Sequence, residues 1–134
     1  MERRWIGMGL ALALTGTSAA AGDLDGRWVT QTGNVEIVFA PCGEALCGSV
    51  TRVMANNSMA GPGPSAAPPP EIGQKIVTGV VPGDPGEWEG ELFDRETGKT
   101  YHCLLKPAGA TMTVRPYILL PLFGKSLIWT RSDS

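Results

Sequence analysis

Glu87-Trp88-Glu89-Gly90-Glu91-Leu92-Phe93-Asp94 is followed by Arg95-Glu96-Thr97-Gly98 and then by Lys99-Thr100-Tyr101-His102-Cys103-Leu104-Leu105-Lys106. In the first run the carboxylates at 87, 89 and 91 alternate with Trp88, Gly90 and Leu92. Alternation of this kind puts the acids on one face of a strand and the apolar set on the other. The four residues that follow end in glycine, which takes positive φ without strain, so the two runs read as a β-hairpin.

The same signature extends in both directions. Short runs rich in β-branched and aromatic residues, cut by Gly and Pro, predict strands at about Gly26 to Thr30, Asn34 to Ala40, Leu46 to Val53, Lys75 to Val80, Glu87 to Asp94, Lys99 to Lys106, Thr111 to Tyr117 and Ser126 to Arg131. Gln31-Thr32-Gly33 and Pro107-Ala108-Gly109 mark further turns. Helical periodicity is weak throughout. About eight short strands joined mainly by tight turns predict an all-β fold, a small antiparallel up-and-down barrel or a closely related sandwich. One segment breaks the rhythm. Residues 54–70 contain Gly61-Pro62-Gly63-Pro64 and end in Pro68-Pro69-Pro70, which reads as an extended, poorly ordered loop. It carries no charge and no aromatic group, so a tolerated insertion is the preferred reading over a lid.

The start of the chain reads as a secretory signal peptide over residues 1–21. Two arginines precede an apolar run from Trp5 to Leu14, and Ala19-Ala20-Ala21 supplies the small-residue cleavage pattern. The run is too short for a bilayer span, which needs about 20 residues. Residues 22–134 are expected to form one β domain, exported to the periplasm or secreted, with no membrane span. Losing Glu2, Arg3 and Arg4 with the leader takes the net charge from −2 to −3. The remaining Lys and Arg are scattered, which argues against nucleic acid as a partner.

Of the three cysteines, Cys42 and Cys47 flank a loop of hairpin length. In an oxidising compartment a disulfide is the first expectation; zinc is the rival, although three cysteines with one distant histidine lack the paired spacing of such a site. Cys103 is left over, as a small buried hydrophobe or a free thiol. His102 is the only histidine, and as a strand neighbour of Cys103 it points to the opposite face, away from any Cys–His pairing. The Glu87, Glu89 and Glu91 face reads as a solvated surface in preference to a calcium or acid–base site. No nucleophile elbow, phosphate-binding loop or histidine pair appears. No cofactor is expected, no catalytic or metal site is assigned, and the chain is read as a non-enzyme. The apolar stretch Tyr117 to Phe123, broken by Pro121, is expected to be buried over one end of the fold.

Gly26-Arg27-Trp28 opens the first strand and Trp129-Thr130-Arg131 closes the last. This pairing resembles the lipocalin-like barrels, which implies that Trp28 plugs one barrel end and Arg131 stacks on it as a cation–π lid. The alternative is two unrelated buried tryptophans. From Pro41 onward the chain also resembles an exported bacterial family catalogued as domain of unknown function 2147. The matching pieces are Pro41-Cys42-Gly43 with Leu46-Cys47-Gly48, Ile72-Gly73-Gln74-Lys75-Ile76, Trp88-Glu89-Gly90, Thr97-Gly98-Lys99-Thr100-Tyr101, and Val114-Arg115 running through Phe123-Gly124-Lys125-Ser126 to Trp129-Thr130-Arg131. The resemblance implies a secreted or periplasmic β domain and supplies no reaction. Many members carry an Asn-Pro-Asp-Pro-like stretch where this chain has its Pro-rich loop.

The leading expectation is an envelope module that binds an apolar small ligand or an envelope protein, with Trp28, Trp88, Tyr101 and Trp129 as candidate lining or core aromatics. A structural or interaction protein with a filled core is the alternative, and an enzyme using Cys103 or the glutamate face ranks last.

Overall fold

The structure is a computed structural model and describes residues 22–118 and 125–132. One turn of 3-10 helix, Gly22–Leu24, leads into eight strands: β1 (Arg27–Val29), β2 (Val35–Cys42), β3 (Ala45–Val53), β4 (Lys75–Pro82), β5 (Trp88–Asp94), β6 (Lys99–Ala108), β7 (Thr111–Tyr117) and β8 (Leu127–Ser132). Each strand pairs antiparallel with its neighbour in the chain, and β1 also pairs with β8, so the sheet closes into a barrel. Closure leaves no edge strand to attract another chain. The fold is the small all-β up-and-down barrel, and the sandwich alternative falls away.

Every strand limit lies within two residues of its sequence expectation. Three of the differences share one cause. The expected strands stop just short of Pro41, Pro82 and Pro107, whereas β2, β4 and β6 run through them. Each proline is the last or next-to-last residue of its strand, where a missing N–H removes little from the ladder. The turn expected at Pro107-Ala108-Gly109 therefore moves to Gly109 and Ala110, with Gly109 at φ 65°.

The core follows from alternation. Trp28 lies opposite Ile37, Ile37 opposite Val50, and Phe39 opposite Gly48. Val77 then lies opposite Leu92, Trp88 opposite Leu105, Leu105 opposite Val114, and Met112 opposite Trp129. All of these side chains are buried, each stabilising the fold by roughly 1.5–3 kcal/mol relative to exposure. A Cβ on Gly48 would sit 3.0 Å from both Ile37 Cγ2 and Phe39 Cε1, so glycine makes room there for the larger neighbours. Register shifts between Glu36 and Ile37 and between Thr78 and Val81 bend the sheet, as closure requires.

Up-and-down order sorts the connections to two ends. One end holds residues 22–26 and the short turns 43–44, 83–87 and 109–110; the other holds 30–34, 54–74 and 95–98. The expected signal peptide and most of the Tyr117 to Phe123 stretch lie outside the described residues.

Candidate functional site

The end with short turns is shut by packing. Leu24 and Trp28 are fully buried, and the Trp28 indole N–H donates to the Leu24 carbonyl at 3.1 Å. The Arg131 guanidinium lies 4.2 Å from the Trp28 ring centroid, a cation–π contact worth on the order of 1 kcal/mol. Its remaining donors are taken up by backbone: Nε reaches the Gly109 carbonyl at 2.8 Å, Nη2 the Asp23 carbonyl at 3.2 Å, and Nη1 the Asp25 carbonyl. Gly26 is what lets Arg131 lie so close. A Cβ there would meet Arg131 Nη1 at 2.8 Å, and its φ of +97° suits only glycine. The Cys42–Cys47 disulfide sits at this end too, across the two-residue turn Gly43-Glu44, with Cα atoms 5.5 Å apart. The cysteines are diagonal rather than opposite, since Cys42 pairs with Ala45 and Cys47 with Ala40.

At the other end the barrel opens into a cavity of about 340 Å³. Its inner wall is Val35, Ile76, Leu92, Leu127 and Trp129, with Tyr101 beside Leu92. The rim is the β5–β6 turn, whose Asp94, Arg95 and Glu96 also line the space, and Ser58, Met59, Ala60 and Gly61 reach it from the 54–70 segment. Leu92 and Trp129 are buried, while Tyr101 is half-buried.

That segment departs from the expectation of a poorly ordered loop. Asn34 anchors its start: the side chain accepts from the Asn57 N–H at 2.7 Å and donates to the Asn57 carbonyl at 3.0 Å. The Asn34 carbonyl accepts from Met54 and Ala55. Within the segment, Asn57 bridges to Pro64. Glu96 fastens the part nearest the cavity, accepting from the Met59 N–H and from the Ser65 hydroxyl, both at 2.8 Å. These two donors, the Met59 amide first, hold the Glu96 carboxyl below the usual carboxylate range, with smaller help from the Ser58 hydroxyl and the Arg95 charge. Arg95 Nη1 donates to the Pro68 carbonyl. The sequence reading missed these ties because the segment contributes mainly backbone groups. The charge that holds it comes from a turn some thirty residues away.

The four aromatics singled out from the sequence divide between two environments. Tyr101 and Trp129 line the cavity, whereas Trp28 and Trp88 belong to the packed core. Arg131 meets Trp28 and has no part in the cavity. Glu89 and Glu91 are exposed on the outer face, and Glu87 pairs with Lys106 at 3.4 Å. Among the described residues no group of three or more His, Cys, Asp and Glu side chains is arranged to hold a metal ion. His102 is exposed, with its ring 5.7 Å from that of Tyr117, while Cys103 is buried inside the barrel. Burial, with the Glu91 charge adding to it, pushes the Cys103 thiol up to about 12 against the Gly90 backbone hydrogen bond. At neutral pH it is protonated and a poor nucleophile.

A family model described as "Uncharacterized protein conserved in bacteria (DUF2147)" matches residues 26–131. The chain is a member of that family. The DUF2147 match runs from Gly26 to Arg131, the two residues that meet at the closed end, and takes in all but the last residue of the barrel. No curated protein and no solved structure matches the chain. No helix among the described residues is long and apolar enough to cross a membrane.

Proposed function

We propose that this DUF2147 protein is an exported, non-catalytic carrier that holds an apolar small ligand at the open end of its barrel. The observation that carries the reading is the cavity of about 340 Å³, walled by Val35, Ile76, Leu92, Leu127 and Trp129 and bordered by Ser58 to Gly61. A concave apolar site with a few polar groups is the usual form of a small-molecule pocket. The basic and apolar pattern of residues 1–21 supports export, and the Cys42–Cys47 disulfide suits an oxidising compartment. The non-catalytic part rests on the lack of a partnered nucleophile among the described residues. Cys103 faces the interior with its proton held, and His102 is on the opposite face of the same strand.

Native mass spectrometry of protein purified from its own cells without detergent tests the reading. A retained small molecule is expected in the wild type and not in Leu127→Trp, which adds bulk to the cavity wall. A wild-type mass with nothing bound overturns it.

A further inference from the structure

We infer that the ligand is uncharged and carries one hydrogen-bond acceptor oxygen, such as that of a ketone, ester or amide, taken at the inner wall by the Tyr101 hydroxyl and the Trp129 indole N–H. The inference rests on the carrier reading above and narrows it to a chemical class.

Among the described residues, the only charged side chains lining the cavity are Asp94, Arg95 and Glu96, a net charge of −1. All three are already engaged in holding the rim. Asp94 Oδ1 accepts from the Glu96 and Thr97 amides. Both Glu96 oxygens are occupied by Met59 and Ser65, and Arg95 holds the Pro68 carbonyl. A carboxylate or phosphate ligand would find two fixed carboxylates at the entrance against the single Arg95 cation, whose Nη1 is tied to the Pro68 carbonyl. Deeper in, it would lose its hydration without a counter-charge, which costs several kcal/mol or more.

Asn34 has both side-chain positions filled by Asn57. Thr30 and Thr32 bond each other, and Gln31 accepts from Ile128. Trp129 is 98 % buried, its relative exposure being 2 %. Its indole N–H makes no hydrogen bond to a described residue, and neither does the Tyr101 hydroxyl, although both side chains line the cavity. Neither donor is sealed off: among the described residues the buried side-chain polar atom without a hydrogen-bond partner is Asn56 Oδ1. A donor that gives up its water to a bound ligand without gaining an acceptor is nevertheless costly, and an indole N–H can only donate. An acceptor oxygen on the ligand satisfies it. An ammonium group has no lone pair for either donor, and a pure hydrocarbon leaves both unpaired.

Naphthyl methyl ketone, isopropylnaphthalene and naphthoate share a ring system and nearly one size, so they separate these terms. By calorimetry on the full mature protein, the ketone is expected to bind about 3- to 10-fold more tightly than the hydrocarbon, the net worth of one hydrogen bond. Naphthoate should bind weakest. In Tyr101→Phe the ketone's advantage should shrink towards parity, while the melting temperature holds because the hydroxyl bonds to no described residue. Equal binding of ketone and hydrocarbon overturns the acceptor inference and leaves the carrier reading standing. Tightest binding by naphthoate overturns the uncharged class. An undiminished ketone advantage in Tyr101→Phe removes Tyr101 from the contact. No binding by any of the three overturns the carrier reading itself.

Discussion

The two ends of this barrel use similar residues to opposite effect. At the closed end Trp28 is fully buried, its N–H is satisfied by Leu24, and Arg131 covers its ring with its own donors taken up by Gly109, Asp23 and Asp25. At the mouth Trp129 is almost as deeply buried, yet its N–H bonds to no described residue and its side chain lines a cavity. The turns explain the difference. The closed end has connections of two to five residues, so strand termini come together and side chains fill the gap. The mouth has residues 54–74, which cover it through exposed backbone and carboxylate hydrogen bonds. Packing shuts one end and exchangeable polar contacts shut the other. The closed end should therefore open only with the whole domain, and the mouth should open locally.

The largest effect expected from this contrast is in Trp28→Ala. Removing a fully buried tryptophan costs about 3–5 kcal/mol, a large part of the roughly 5–15 kcal/mol that holds a domain together. Urea unfolding should show a steep fall in midpoint. Leu127→Ala, at the mouth, should cost only about 1–2 kcal/mol, because the side chain is half-buried and already borders a cavity. Equal losses at the two positions would break the comparison. Reduction of Cys42–Cys47 comes next. Its loop is short, so the chain-entropy model gives about 2 kcal/mol. The lowered urea midpoint should appear with no change in amide exchange across 56–65, since the disulfide and that segment lie at opposite ends.

The closed end was far more legible in the sequence than the mouth. Alternation around Trp88 requires a strand that reaches the closed end, whereas the hairpin glycine Gly98, with φ 76°, is the one local signal at the mouth. Gly26, Trp28 and Arg131 carry their meaning in their own side chains or in the lack of one. Cys42 and Cys47 are likewise local, five residues apart. The mouth is assembled from groups whose role depends on long-range closure. Asn34 meets Asn57 across 23 residues, and Met59 meets Glu96 across 37. Glu96 looks from the sequence like one more polar residue of a turn. Its partners are a main-chain amide and a serine in a segment with no charge of its own, so no pattern of side chains could announce it. The same blindness explains why Trp28 and Trp129 looked alike. Both are strand tryptophans facing inward, and only the loops decide which one borders empty space.

The smallest effect is the most informative about the mouth. Glu96 accepts from Met59 and Ser65, and these contacts hold its carboxyl below the ordinary carboxylate value. A depressed folded-state pKa means that the tie is fully present above the ordinary value and is lost as pH falls through the lower one. Among the groups around it, Arg95 is adjacent, Asp94 lies in the same turn, and residues 54–70 contain no titratable side chain. Hydrogen exchange, read as a protection factor to remove the intrinsic pH dependence, should therefore show Met59 losing protection in acid. The core amides of β6 and β7 should keep theirs. Glu96→Ala should leave Met59 unprotected at every pH, with the thermal midpoint hardly moving, because the group is exposed and screened. Glu96→Gln separates the titration from the geometry: its amide oxygen still accepts from Met59 but cannot take a proton, so protection should become independent of pH. If protection in Glu96→Gln still falls with acid, the Glu96 carboxylate is not the group whose titration releases the mouth.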